Sequence, residues 1–256
     1  MPVTFKRVTT LFLAALIFAA IVRAQAPAQS RINVAAAANL TGVAQEIGSR
    51  FEAETKIHPV FSFGSTAQLT QQIENGAPFD LFLAADAEHV EQLDKKGLLV
   101  PGSRAAYAIG VLALWVPSAA TPVKSLEDLV SPKVRVISVA KPELAPYGAA
   151  TIETLRSAGI LDKVQSKIVY ADNINMAKQY GATGNADVVF TAYSLVLKES
   201  GTVIQVSEKL HKPITQALGI IAASPNKADA GRFSDFVLHG KGRATLKAFG
   251  YLSATP

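Results

Sequence analysis

Strand-length apolar runs alternate along this chain with stretches whose apolar residues recur at helical spacing, and no other feature narrows the fold as far. Residues 32–37 read as a first strand, followed by a helix over 41–54 with Val43, Ile47 and Phe51 four residues apart on one face. Residues 58–63 read as the next strand, leading to a helix that carries Leu69 and Ile73 and stops at Asn75-Gly76, a good C-terminal cap. A third strand over 80–85 precedes a helix marked by Val90 and Leu93 and ended by Gly97. After the apolar stretch 109–116 a second series places strands over 134–139, 167–170 and 187–191. Alternation of this kind builds βαβ units, so each half is expected to be a mainly parallel sheet flanked by helices. The stretch 75–83 loosely echoes 183–190. The expected α/β architecture therefore has two lobes, 25–108 plus 218–256 and 109–217, joined by two crossover segments.

The first residues bear on the compartment. Lys6 and Arg7 precede an unbroken apolar run over 11–22, which meets Arg23-Ala24. A charged start, a short apolar middle and small residues before the cut form the pattern of a secretory signal peptide. The run is shorter than the ~20 apolar residues a membrane span needs. Cleavage is expected after Ala24, giving 1–24 as the signal and the periplasm as destination; a cut after Ala26 would put the restrictive ring of Pro27 behind the scissile bond. Removing three cations, Lys6, Arg7 and Arg23, and no acid lowers the formal charge from +5 to +2. No basic stripe interleaved with aromatic residues remains, which argues against a nucleic-acid partner. The chain has no cysteine, which excludes disulfides, thiol catalysis, Cys-based zinc sites and a lipid-modified N-terminus. A chain of this length buries enough core to do without disulfides. A monomer is the default expectation.

Small polar residues gather where strands hand over to helices: Ala38-Asn39, Gly64-Ser65-Thr66, Tyr147-Gly148 and Asn173-Ile174. The first turn of a helix presents unpaired N–H groups and a partial positive charge, and a hydroxyl or carboxamide there adds a donor. Several such turns converging would solvate a dianion by hydrogen bonds alone. Taken singly, each polar residue could equally be an N-cap.

Across nearly the whole mature chain the sequence resembles the periplasmic molybdate-binding components of ABC transporters. The stretches that carry the likeness are Ala36-Ala37-Ala38-Asn39-Leu40-Thr41, Phe63-Gly64-Ser65-Thr66, Gln72-Ile73-Glu74-Asn75-Gly76-Ala77-Pro78 and Asp80-Leu81-Phe82 with Ala84-Ala85-Asp86. Pro101-Gly102-Ser103-Arg104, Tyr107-Ala108-Ile109-Gly110 and Ala145-Pro146-Tyr147-Gly148 continue it. The resemblance implies a two-lobed periplasmic binding protein of type II that is not an enzyme. It implies molybdate or tungstate as ligand, a membrane permease and its ATPase as partners, and no cofactor. Molybdenum would be present only inside the oxyanion, with no direct protein–metal ligand. The implied oxyanion contacts fall on Ala38, Asn39, Ser65, Thr66, Tyr147 and the backbone N–H of Ile174, Asn39 also donating through its amide. Part of the family places a ligating tyrosine where this chain has Ala192, and Tyr147 is expected to replace it. Tyr193 should face the other way, because successive strand side chains alternate.

Molybdate at neutral pH is a fully deprotonated dianion, so a site made only of donors suits it. Monohydrogen phosphate brings a proton that needs an acceptor, and an unmatched buried donor costs about 1–3 kcal/mol. Sulfate shares the physics of molybdate and remains the alternative ligand. A remoter alternative is a serine hydrolase built on Ser65, but Phe63-Gly64-Ser65-Thr66-Ala67 lacks the full nucleophile-elbow pattern and no histidine lies in a recognisable motif. His89 beside Glu88 and Glu91 reads as a solvated helix face, and Asp80, Asp86 and Asp187 as structural strand-end carboxylates. An iron site would want tyrosine, histidine and carboxylate donors together.

Overall fold

The structure, a computed structural model, describes residues 30–254, so the expected signal segment and its cleavage point lie outside the described residues. Ten strands form two five-stranded sheets among the described residues. The first series is β1 (Arg31–Ala37), α1 (Val43–Thr55), β2 (His58–Gly64), α2 (Thr66–Glu74), β3 (Leu81–Leu83), α3 (Glu88–Lys95) and β4 (Ala105–Gly110). The second is β5 (Leu112–Val116), β6 (Ile137–Ala140), α4 (Pro146–Ser157), α5 (Leu161–Val164), β7 (Ile168–Ala171), α6 (Ile174–Ala182), β8 (Val188–Ala192), α7 (Tyr193–Val196) and β9 (Thr202–Gln205). The chain closes with β10 (Ile214–Ile220), α8 (Lys227–Leu238) and α9 (Gly240–Ala248).

The first sheet runs β2-β1-β3-β10-β4 and the second β7-β6-β8-β5-β9. Parallel pairing holds for the βαβ strands, β1 with β2 and β3, and β6 with β7 and β8. The remaining strands pair antiparallel, β10 with β3 and β4, and β5 with β8 and β9. Four of the five strands in each sheet therefore run the same way, as expected, and the one strand that enters each sheet from the other, β10 in the first and β5 in the second, runs against them and makes the pairing mixed. The crossings differ from expectation. The outgoing one falls at Val111, between β4 and β5, a few residues beyond the 108 boundary the sequence suggests; the return lies within 206–213, before β10, and not near 218. The run 105–116 is apolar throughout and carries no local mark of the sheet change.

The helical faces pack as their spacing requires. Val43, Ile47 and Phe51 of α1 are buried, and Phe51 meets Phe233 and Phe236 edge-on at centroid distances of 4.9 and 5.5 Å. The loose internal echo also has a structural counterpart. Gly76 and Gly184 follow the ends of α2 and α6 at φ 80° and 75°, the left-handed region where a side chain is strained. Each leads to an aspartate that holds a neighbouring strand. Asp80 accepts from the Asn33 N–H (2.6 Å), and Asp187 from the Arg135 and Val136 N–H groups (2.8 and 3.0 Å). That second clamp takes 135 and 136 to a carboxylate, and β6 begins at Ile137 and not at 134 as the sequence suggested.

A candidate oxyanion site between the two sheets

All the residues expected to contact an anion, Ala38, Asn39, Ser65, Thr66, Tyr147 and Ile174, line one small cavity with Ala37, Gly64, Ala85, Ala145 and Pro146. Its volume is about 10 Å³. That is roughly the room one water molecule takes. The β1 and β2 ends supply one wall; the starts of α4 and α6 supply the other. The walls touch, since the Ala67 N–H donates to the Leu144 carbonyl (3.2 Å) and Ser194 Oγ to the Asn39 carbonyl (3.2 Å).

The donors arise from local structure. Ser65 stands at the N-cap of α2 in extended backbone, φ −71° and ψ 150°, but its side chain caps nothing. Its Oγ is buried and without a protein partner. Such an atom costs free energy unless a ligand or water completes it. Thr66 Oγ1 accepts from the Ala85 N–H (3.2 Å), which leaves its own proton available. Pro146 opens α4 at a position where a missing N–H is harmless, and Tyr147 follows it, 1% exposed. Asn173 does cap its helix, its side chain accepting from the Asn175 and Met176 N–H groups (3.0 and 2.9 Å). Ile174 then contributes one of the first-turn amides that a helix leaves without an internal partner. No lining residue is charged.

One expectation needs correction. The Asn39 amide nitrogen is already engaged, donating to Gln216 Oε1 and the Tyr251 hydroxyl, both at 2.9 Å. Its Oδ1 is buried without a protein partner, and neither amide proton is left for a guest in the cavity. Behind the cavity, Gln216 Nε2 donates to the Tyr147 hydroxyl (3.0 Å), and the Tyr107 hydroxyl lies 2.8 Å from Gln216 Oε1. Burial pushes Tyr147 and Tyr107 well above the usual phenol value and Tyr251 up to about 12, so all three stay protonated. Gln216, Tyr107 and Tyr251 drew no attention as a network in the sequence. Gly110 did not either, yet a Cβ there would lie 2.1 Å from the Tyr147 hydroxyl.

Other singled-out residues lie elsewhere. Ala192 is fully buried at the end of β8, and Tyr193 packs on Gly250, away from the cavity lining. Asp80 accepts from Ser224 Oγ (2.6 Å) and Asn226 Nδ2 (3.2 Å), a structural role. Asp86 accepts from the His89 N–H in the first turn of α3 (2.9 Å) and holds the ring at Nδ1 (2.8 Å), so His89 is part of a half-buried pair, not a solvated face. That hydrogen bond raises the His89 pKa, against burial, which lowers it. A raised folded value means stability fully present below the ordinary 6.5 and lost as pH rises through the raised value. The urea midpoint of His89→Asn should therefore fall below the parent's at about pH 5.5 and approach it at about pH 9. An equal gap at both pH values would show that the pair contributes nothing.

Residues 32–252 match the family model of bacterial extracellular solute-binding proteins. The molybdate-binding protein ModA of Azotobacter vinelandii is 37% identical over 226 residues, covering 87% of this chain and 90% of that one. ModA of Rhodobacter capsulatus is 35% identical over 227 residues, covering 88% and 90%. The solved periplasmic molybdate-binding protein of Azotobacter vinelandii superposes with a TM-score of 0.84 at 33% identity, over 86% of this chain and 98% of that one. A sulfate-binding protein from Mycobacterium tuberculosis, 15% identical with a TM-score of 0.74 over 89% and 88%, shares the fold alone.

Proposed function

Because the chain belongs to the bacterial extracellular solute-binding proteins, we propose that it captures a tetrahedral dianion, molybdate or its congener tungstate, and delivers it to the membrane permease of an ABC transporter. The observation that carries the ligand class is a small cavity lined by neutral groups, among them a Ser65 hydroxyl without a protein partner and a Thr66 hydroxyl whose proton is uncommitted, which suits an acceptor-only guest. Ser65, Thr66 and Tyr147 supply hydroxyls; Ala38, Asn39 and Ile174 supply backbone N–H groups at or near helix starts. Dipoles fixed in this way stabilise a dianion without a balancing cation. A four-oxygen anion exceeds the cavity as it stands, so admission requires the walls to part about the crossings at Val111 and 206–213. Such hinge closure is part of the repertoire of two-lobed binding proteins. The same reading makes the protein a non-enzymatic periplasmic monomer, exported on the signal 1–24.

Ligand binding raises the melting temperature by mass action. Molybdate at a hundred times its Kd adds ~2.7 kcal/mol, which for a domain of this size is a rise of roughly 5–11 °C. Sulfate and phosphate at equal concentration should shift it by much less. An unchanged melt with molybdate, together with no heat in calorimetry, would end the assignment.

A further inference from the structure

We propose that Gln216 is a positioning and specificity residue for the anion site: it fixes the direction of the Tyr147 proton, so that the cavity meets a donor and turns away guests carrying a proton of their own. This rests on the reading of the cavity as an oxyanion site.

Gln216 lies on β10 in the first sheet and is fully buried, whereas Tyr147 belongs to the second series, 69 residues away in sequence. The orientation of the Gln216 amide is set by its oxygen. Oε1 receives the Asn39 amide at 2.9 Å and faces the Tyr107 hydroxyl at 2.8 Å. Both neighbours are themselves held. Tyr107 also reaches the Ala84 carbonyl (2.9 Å), and Asn39 Nδ2 also reaches the Tyr251 hydroxyl, which donates back to the Asn39 carbonyl (3.0 Å). With the oxygen engaged there, Nε2 is left facing the Tyr147 hydroxyl at 3.0 Å. An amide nitrogen can only donate, so Tyr147 must accept, and its single proton has to point elsewhere.

Gln216 is not among the residues lining the cavity, whereas Tyr147 is, so the donor behind the oxygen leaves the cavity side for the proton. Gly110 makes this packing possible, since a Cβ there would stand 2.1 Å from the Tyr147 hydroxyl and 2.5 Å from Gln216 Nε2. The same device recurs on the opposite wall, where the Ala85 N–H donates to Thr66 Oγ1 and frees the threonine proton for the cavity. Two hydroxyls from two walls are thus polarised toward one point. A guest oxygen that carries hydrogen would bring two protons face to face, whereas a bare oxo group completes both bonds.

A double-mutant cycle tests this by titration calorimetry with sodium molybdate, using the full mature chain with Gln216→Met, Tyr147→Phe and the two combined. Each single change should weaken molybdate binding about 10- to 100-fold. The combined variant should be no more than about threefold weaker than Tyr147→Phe alone, since Gln216 acts through a hydroxyl that is already gone. Displacement of molybdate by phosphate should also become easier in Gln216→Met by about tenfold relative to molybdate affinity, which a general loosening would not produce. Additive losses, or molybdate affinity within twofold of the parent in Gln216→Met, would overturn the proposal. If Gln216→Met fails to melt cooperatively, Tyr107→Phe removes one group holding Oε1 and is carried through the same cycle. A smaller loss that vanishes beside Tyr147→Phe supports the proposal, and one that persists overturns it. An unaltered chain that gives no heat with molybdate sinks the anion reading and this inference together; binding by the parent with additive variants sinks this inference alone.

Discussion

Replacing Thr66 with valine and Tyr147 with phenylalanine in one chain should cut molybdate affinity by about two to four powers of ten, since a hydrogen bond to a charged group contributes ~1.5–3 kcal/mol. Each change keeps the shape of the side chain and deletes one hydroxyl from the cavity lining. They act from opposite walls, so neither can be compensated by a shift of the ligand toward the other. Thr66→Val also strips the Ala85 N–H of its acceptor, and a few degrees of melting temperature should go with it. His211→Ala serves as the control, because His211 is absent from the cavity lining and its ring contacts the Lys212 carbonyl. Calorimetric titration checks both variants. Full affinity in the double variant would place the anion somewhere else.

The second large effect concerns two glycines that fail for different reasons. A Cβ on Gly148 would lie 2.1 Å from the Ala140 carbonyl oxygen and 2.9 Å from its carbon, both backbone atoms of β6 that cannot turn aside. Gly148→Ala must therefore lift the start of α4 off the sheet. Stability and binding should fall together, by about 1–3 kcal/mol or more in the fold and at least tenfold in affinity as Tyr147 is carried away. Gly110→Ala instead meets the ends of two side chains, the Tyr147 hydroxyl and the Gln216 amide. These are side-chain atoms, the Tyr147 ring carbon at 2.8 Å among them, and side chains can give where backbone cannot, so affinity should suffer while the melt drops less. Urea unfolding alongside calorimetry separates the cases. Equal stability losses in the two variants would contradict the distinction.

How much of this was legible follows from where the information sits. The strand-to-helix turns at 38–39, 64–66, 147–148 and 173–174 are local patterns, and the sequence places each of them correctly at a helix start. Their convergence was implied by family resemblance and is present in the structure as one lined cavity. What escaped reading is what depends on distant partners. The Asn39 side chain was expected to face the ligand, but it meets residues 177 and 212 positions away. Nothing in the neighbourhood of Gln216 or Tyr251 distinguishes a network residue from an ordinary buried polar one. The crossing at Val111 was misplaced for a similar reason: β4 and β5 are both apolar, and only their separate partners, β10 for one and β8 with β9 for the other, tell them apart. Ser65 is the instructive middle case. Its N-cap position invited a purely structural explanation, and the absence of any capping bond removes it.

The neutral lining has a consequence for work in a salty medium. A pocket built from arginine or lysine attracts small anions whenever its guest is away, and each arrival must evict one. Here the attraction is divided among hydroxyls and backbone amides with no net charge to neutralise. Between captures such a chamber carries no side-chain charge that demands a counterion. A scarce dianion can then be gathered from a background of common salt on the strength of its shape and its bare oxygens.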